Sequence, residues 1–195
     1  MADDRLERLA EILIEHSCRV QKGEKVLIDA SADAAPLILE LYKQIVLKGA
    51  IPFTRITLSE QAYYFYKYAS KQQLTYFPET AMNEMKQMDA WVGIISGQNR
   101  RELARIDSKK LALRGKVVRS ISDERLKKKW VLIAFPTSAA AQDAEMSLTE
   151  YEDFVYGACI QDWKKIGGKM QKIKNALQRA KQMRVISKDT DITYS

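Results

Sequence analysis

The sequence predicts an α/β protein with an open, mostly parallel, Rossmann-like sheet and helices on both faces. Short apolar segments rich in β-branched residues alternate with longer segments of helical periodicity, which is typical of parallel sheets. The clearest example is Lys25–Leu58, where strand, helix and strand follow one another within 34 residues. This is the length of a βαβ unit, so we expect two parallel strands with a right-handed crossover.

Within this unit, residues 25–30 (KVLIDA) predict the first strand and residues 34–48 predict the helix. Ser31 or Asp33 can cap the start of the helix, and Gly49 suits a left-handed residue at its end. Spacings of one, three and four predict that one helix face carries six buried apolar side chains: Leu37, Ile38, Leu41, Tyr42, Ile45 and Val46.

The other elements follow from the same two periodicities. The further strands are expected at residues 53–58, 90–95, 116–119, 130–135, 183–187 and 191–195. The further helices are expected at residues 3–20, 60–76, 101–114, 123–129, 147–158 and 161–182, with one more opening at Pro78–Glu79. Ser147 and Glu150 have the spacing of a capping box. The last two strands form a hairpin around a polar turn, which leaves an exposed edge where a second domain is expected to begin.

Length and composition indicate one globular domain in a reducing compartment. The chain has 195 residues, of which 46% are hydrophobic and 29% charged, and it has no apolar run long enough for a membrane span. Its amino terminus is charged, which is unlike a secretory signal. Cys18 and Cys159 lack the spacing of a metal site and are expected to be two buried thiols outside any disulfide. We therefore expect a cytoplasmic protein with no membrane association.

The net charge of +7 is concentrated in two segments. Residues 99–130 hold 12 Lys/Arg and 4 Asp/Glu, and residues 163–184 hold 8 Lys/Arg and no acid. A basic surface of this kind can bind nucleic acid, whereas solvated helix faces rich in lysine produce the same count. The sequence has no helix-turn-helix, RNA-binding sheet motif or Cys/His finger, so the solvated faces are the favoured interpretation.

Sequence motifs indicate no nucleotide site. The loop after the first strand, residues 29–35, has no glycine, so neither phosphate-binding glycine motif is present. After the third strand, Ser96–Asn99 precedes a predicted helix and can offer backbone N–H groups to an anion. A glycine-assisted turn that caps the helix is the favoured interpretation of this loop.

Residue chemistry alone indicates no active site. His16 is the only histidine and has no partner at the spacing of a metal site, and Ser/His or Cys/His catalysis would need this same residue. The carboxylates Glu150, Glu152 and Asp153 are expected to complement a helix dipole. The tyrosine-rich helix at 60–76 is either a stacking platform or, more simply, part of the core.

Several stretches nevertheless resemble one family over nearly the whole chain. They are Leu9–Ser17, Gly23–Ile28, Leu47–Ala50 running into Pro52, Trp130–Thr137 continued by Ala141–Phe154, and the closing Asp189–Ser195. Together they resemble the N-terminal domain of the thermophilic-type metallo-aminopeptidases, the group of aminopeptidase T, aminopeptidase S and PepS. The segment around Gln161–Trp163 is shorter than in the family.

The resemblance implies that residues 1–182 are the N-terminal α/β domain and that residues 183–195 begin the junction to a catalytic domain absent from this chain. In the family, two Glu, two His, an Asp and a Tyr hold two divalent ions such as zinc or cobalt, and all these ligands belong to that later domain. It follows that this chain contains no catalytic residue and no metal ligand. The parent enzyme would remove N-terminal residues from peptides and would form a homodimer.

Two hypotheses therefore stand. In the first, the chain is an architectural or substrate-gating domain of a two-metal aminopeptidase, inactive on its own. In the second, it is a stand-alone interaction domain whose basic segments, 99–130 and 163–184, bind an acidic partner or RNA.

Overall fold

The computed structural model describes residues 4–195. They form two compact units, the first ending at Ile160 and the second comprising Gln161–Ser195. The first helix was expected to start at residue 3, which lies outside the described residues. The expected junction at residues 183–195 concerns a further domain and stays a prediction.

A four-stranded parallel sheet lies at the centre of the first unit. Its strands are β1 (Lys25–Ser31), β2 (Ile51–Thr57), β3 (Ala90–Ile95) and β4 (Lys129–Ala134). Their spatial order is β2-β1-β3-β4, and each neighbouring pair is parallel. The predicted open α/β sheet is confirmed.

The helices of the first unit are α1 (Asp4–Glu11), α2 (Ala35–Leu47), α3 (Gln61–Tyr68), α4 (Lys71–Thr75), α5 (Glu79–Gln87), α6 (Ser108–Arg125), α7 (Ser138–Asp143) and α8 (Leu148–Cys159). A π-helical turn, Ile12–Ser17, follows α1, and a 3₁₀ turn, Ala32–Ala34, precedes α2. Between residues 4 and 195, no helix is both long enough and apolar enough to cross a bilayer.

Each face of the sheet buries its own apolar cluster. Alternate residues of the strands, such as Val26 and Val92, pack with α1, α2 and α8 into the larger cluster. The opposite face buries Leu27 and Trp91 against α5 and α6 in a smaller cluster. Helices therefore cover both faces, as the sequence predicted.

The smaller cluster depends on one glycine. The ring of Trp91 lies over Gly93 on β3, and a Cβ atom at residue 93 would be 1.9 Å from the ring. A separation this short is a steric clash, so Trp91 can occupy its position only because residue 93 has no side chain.

The βαβ prediction holds for the two strands and for both ends of the helix. The Ser31 hydroxyl accepts a hydrogen bond from the Asp33 amide and caps the 3₁₀ turn before α2, and Gly49 has a φ of 74° after the helix. The buried face is narrower than predicted, because Tyr42 is 45% exposed and Val46 is 52% exposed. At about 100° per residue, the four buried positions span about 100° of arc, and these two fall outside it.

Several boundaries were predicted wrongly. Residues 116–119 were expected to be a strand between helices at 101–114 and 123–129, but residues 108–125 form one helix, α6, which Asp107 caps and which packs against α4 and α5. Residues 60–76 were expected to be one helix but form α3 and α4, separated by the Ser70 capping box. In both cases a local contact, the cap, decides the helix start, and the β-branched pair within 116–119 does not outweigh it.

The second unit has an exposed helix and a hairpin. The helix is α9 (Trp163–Arg179), and β5 (Met183–Ser187) pairs with β6 (Thr190–Tyr194) in antiparallel register. The hairpin confirms the sequence prediction.

Candidate functional site

A cavity of about 650 Å³ opens at the carboxyl edge of the sheet. Its walls come from the ends of β1 and β2, the segment after β3, the first half of α3, and Arg114 of α6. The strand order reverses between β1 and β3, and ligands of open parallel sheets bind outside the carboxyl ends of the strands at such a point. The cavity therefore occupies the position that this fold offers to a ligand.

One wall is organised around Asp33. Its Oδ2 accepts a hydrogen bond of 2.6 Å from the Ser31 hydroxyl and one of 2.9 Å from the Ser59 hydroxyl. These two hydroxyls follow β1 and β2, so the carboxylate joins the ends of two neighbouring strands. Oδ2 of Asp33 therefore already accepts hydrogen bonds from the protein itself.

A second carboxylate, Glu60, lies at the start of α3 in a left-handed conformation with a φ of 66°. Its charge and a hydrogen bond with the Tyr64 hydroxyl raise the pKa of that tyrosine. Glu60 therefore also has a partner within its own helix.

The cavity's one basic side chain serves the structure of the wall. The Arg114 guanidinium donates to the carbonyl of Tyr76 at 2.5 Å and lies 5.6 Å from the centre of the Phe65 ring. One turn earlier, Lys110 donates to the carbonyl of Tyr66 at 2.9 Å. The two side chains hold α6 against the ends of α3 and α4.

Glu102 differs from the other carboxylates of the cavity. Within residues 4–195, the buried side-chain oxygens without a hydrogen-bond partner are Oε1 of Glu102 and Oγ of Ser96. Both residues belong to the segment after β3, and Glu102 lines the cavity. An unsatisfied buried polar atom is unfavourable by about 1–3 kcal/mol, and more when it is charged. Oε1 of Glu102 therefore has no partner among residues 4–195.

The segment Ser96–Asn99 does not form the predicted helix cap. Residues 100–105 are turns, and α6 begins only at Ser108, so the backbone N–H groups of this segment are not at a helix start. Asn99 instead accepts a hydrogen bond from the Arg101 amide at 3.0 Å. Gly97, Gln98 and Asn99 line the cavity with Glu102, which the sequence motifs did not indicate.

Comparison with known proteins identifies the family. The family model described as thermophilic metalloprotease (M29) matches residues 2–195. The chain belongs to this family. The resemblance to metallo-aminopeptidases that the sequence motifs indicated is thus confirmed.

One solved structure supports the fold of the M29 chain. Wild-type AmpT from Thermus thermophilus is similar with a TM-score of 0.65 and 19% identity, over 81% of this chain and 43% of the AmpT chain. The chain thus spans less than half the length of that relative. A crystal structure of the CurK enoyl reductase matches 78% of this chain and 49% of its own with 14% identity, but its TM-score of 0.30 carries no argument. None of the curated proteins matches the chain.

Possible metal ligands are not clustered in the part of the chain that the structure describes. Among the described residues, 4–195, no group of three or more His, Cys, Asp or Glu side chains is close enough together to hold an ion. His16 lies in the π-helical turn beside Glu15, whose carboxylate forms an ion pair of 2.6 Å with Lys48.

The two cysteines have environments that suppress thiol chemistry. Cys18 is buried, and burial raises its pKa to about 11. Cys159 is only partly buried, which is less than the sequence predicted, and burial again raises its pKa. A nucleophilic cysteine needs the opposite shift.

The carboxylates at the start of α8 have structural partners. Glu150 completes the predicted capping box with Ser147, and this hydrogen bonding lowers the pKa of Glu150. Glu152 and Asp153 bind the Arg5 guanidinium at 3.0 and 2.8 Å. The sequence analysis assigned all three to the helix dipole and did not foresee the contact with α1.

The tyrosine-rich segment is not part of the core. The aromatic side chains of α3 all remain at least partly exposed, and Tyr64 stacks on Tyr68 with ring centres 6.2 Å apart. The prediction that helical spacing of aromatic residues indicates core is wrong here, because α3 lies beyond the end of the sheet.

Most basic residues of the segment 99–130 have partners within the first unit. Eight of the twelve form ion pairs, donate to backbone carbonyls or stack on rings: Arg100, Lys110, Arg114, Arg119, Arg125, Lys127, Lys128 and Lys129. In the second unit, α9 is not buried at any residue. Most charges of the first segment are therefore already paired within the first unit, and the solvated-face interpretation stays a prediction.

Proposed function

We propose that this chain is the non-catalytic α/β domain of a two-metal aminopeptidase, and that the metal ligands belong to polypeptide outside residues 1–195. The observation that carries the proposal is the family match over residues 2–195 beside a coverage of 43% of the AmpT chain. The composition supports it further. The sequence contains a single histidine, whereas the resemblance implies two histidine ligands.

The proposed role is architectural. The domain would wall the chamber in which peptides bind and would restrict entry to short, unfolded peptides. The whole enzyme would be a cytoplasmic homodimer that uses its two divalent ions to polarise the scissile carbonyl and activate water. The helices that pack on both faces of the sheet support this role, because they bury an apolar cluster on each face.

A direct test measures hydrolysis by the 195-residue chain. The chain is incubated with two equivalents of Zn²⁺ or Co²⁺ and with leucine p-nitroanilide or short peptides, beside a metal-only blank. We expect no release of N-terminal residues above the blank and no stoichiometric metal in equilibrium dialysis. Hydrolysis that requires stoichiometric bound metal would contradict the proposal.

A second test reads the native gene beyond the codon for Ser195. We expect the frame to continue into a segment that carries two histidines and several carboxylates. A stop codon directly after Ser195 would overturn the proposal and favour the stand-alone interaction domain.

A further inference from the structure

We infer that the cavity at the carboxyl edge of the sheet binds a small organic cation, in which an ammonium group next to an apolar side chain pairs with Glu102. The inference concerns this chain's own residues and needs no metal, so it goes beyond the proposed function. Both a free amine and the N-terminus of a peptide present this chemistry.

The charge of the cavity selects a cation. Its walls carry the carboxylates of Asp33, Glu60 and Glu102 and a single guanidinium, that of Arg114. Arg114 already donates to the carbonyls of Leu74 and Tyr76, so its hydrogen-bonding capacity is directed into the wall. The lining side chains therefore carry more negative than positive formal charge, which disfavours phosphate or nucleotide ligands.

Glu102 is the cavity carboxylate that can accept a further hydrogen bond. Asp33 accepts from two serine hydroxyls, and Glu60 has a hydrogen bond with Tyr64. Oε1 of Glu102 is buried and has no partner within the described range, residues 4–195. A ligand that brings an N–H donor removes this deficit, and a charged donor removes more of it than a neutral one.

The neighbouring walls fit the rest of such a ligand. Gln98 lies in the same segment as Glu102 and adds an amide oxygen that can accept a second ammonium hydrogen. Phe65, Leu58 and Ala62 supply apolar surface on the α3 side. A volume of about 650 Å³ is within the range of small-molecule sites, so a ligand with one apolar side chain is readily enclosed.

A divalent cation fits the cavity less well. Such ions need several oxygen or nitrogen ligands at short range. The described residues hold no group of three or more ligand side chains, and two of the three cavity carboxylates already have partners. One unsatisfied carboxylate oxygen beside an amide matches an ammonium group instead.

Isothermal titration at pH 6.5 in EDTA tests the inference on the unmodified chain. L-leucinamide has the ammonium group and an apolar side chain, and N-acetyl-L-leucinamide has the same side chain without the charge. We expect 1:1 binding of leucinamide with a Kd of roughly 1 mM or below, and at least about tenfold weaker binding of the acetylated compound. Equal binding of the two, or binding of neither, overturns the inference.

Two further titrants distinguish the sources of the ammonium group. Leu-Gly-Gly presents a peptide N-terminus, and 3-methylbutylamine presents the ammonium and the apolar chain alone. Binding of the tripeptide as tightly as leucinamide identifies a peptide N-terminus as the ligand. Binding of the short amines without the tripeptide identifies a free amine.

Variants locate the site. Glu102→Gln keeps the shape and removes the charge, so we expect about a tenfold loss of leucinamide affinity, since a hydrogen bond to a charged group is lost. Glu102→Asp keeps the charge and should retain more affinity than Glu102→Gln. The matched control Glu79→Gln lies on an exposed position of α5 outside the cavity and should leave affinity unchanged. Unchanged affinity in a folded Glu102→Gln protein overturns the assignment.

These outcomes are separable from those of the proposed function. The titrations contain no metal, so amine binding can succeed in a chain that hydrolyses nothing. Conversely, metal-dependent hydrolysis without amine binding would contradict the role proposed for Glu102 and the non-catalytic role alike.

Discussion

The two edges of the parallel sheet differ in how their polar groups are satisfied. At the amino edge, where β1, β3 and β4 begin, the carboxylates of Asp89 and Glu24 both have partners. Asp89 accepts from the Lys25 amide at 2.8 Å, and Glu24 accepts from Lys129 at 2.6 Å and from the Gln21 amide at 2.8 Å. This edge is closed by contacts within the chain.

At the carboxyl edge the chain leaves a cavity and an unsatisfied carboxylate. Asp33 and Glu60 have partners, but Oε1 of Glu102 has none. Both edges thus carry acidic side chains, and only the arrangement of donors differs. The comparison teaches that composition does not separate a structural edge from a binding edge, whereas the pairing of each polar atom does.

The largest expected effect is destabilisation of the sheet that lies between the two edges. Gly93→Ala places a Cβ atom 1.9 Å from the Trp91 ring. We expect the free energy of unfolding to fall by about 3 kcal/mol, because the buried ring has to move. Urea denaturation measures it. Gly115→Ala, where a Cβ meets nothing within 4 Å inside α6, is the control and should raise stability by about 0.5–1 kcal/mol. Equal effects at both glycines would contradict the close packing of Trp91.

The next effect concerns the burial of Cys18 beside the amino edge. Burial raises its pKa from 9.0 to about 11, so between these values the unfolded chain loses the thiol proton while the folded chain keeps it. The stabilising contribution is present below pH 9 and is lost as the pH approaches 11. For a shift of two pKa units it corresponds to about 3 kcal/mol.

Denaturation curves at several pH values, for the native chain and for Cys18→Ala, measure this contribution. The native chain should lose more stability than the variant between pH 9 and 11. Parallel losses would show that Cys18 does not titrate as its burial requires.

A smaller loss of stability is expected when a contact at the amino edge is removed. Glu24→Gln replaces one of two acceptor oxygens by an amide nitrogen, so either Lys129 or the Gln21 amide loses its partner. We expect a loss of about 1 kcal/mol in urea denaturation. The control Glu79→Gln should change stability by less. A Glu24→Gln protein as stable as this control would contradict the conclusion that contacts within the chain close the amino edge.

The smallest effect has the opposite sign and lies at the carboxyl edge. Glu102→Gln removes the charge of a carboxylate whose Oε1 is buried without a partner among residues 4–195, so the ligand-free chain should become more stable by about 0.5 kcal/mol. Differential scanning calorimetry should show a Tm increase of about 1–2 °C. A decrease in Tm would mean that Glu102 has a partner in the folded chain.

The sequence was sufficient for the fold because the βαβ pattern is local. The periodicities of residues 25–30 and 34–48 determine which side chains reach the core, and parallel strands follow from the helix between them. It was insufficient for residues 116–119, since two valines favour a strand only until the cap at Asp107 starts a helix through them.

The candidate site was largely invisible in the sequence. Residues 31–33, 57–66 and 97–102 are far apart in the chain and meet only because parallel strands end at one edge. Of these, the sequence singled out Ser31 and Asp33 as caps and Ser96–Asn99 as a turn. Glu102 looked like one charge among many in a basic segment. Its missing partner is a property of three-dimensional packing, which residue spacing does not reveal.

The most direct test maps the ligand onto the sheet. Two-dimensional ¹⁵N–¹H NMR spectra of the labelled chain are recorded during titration with L-leucinamide, with N-acetyl-L-leucinamide as the reference. The account predicts concentration-dependent shifts of the amides in residues 31–33, 57–62 and 97–102, and none at Glu24, Lys25 or Lys129 at the amino edge. Shifts at the amino edge, or identical shifts with both compounds, would contradict it.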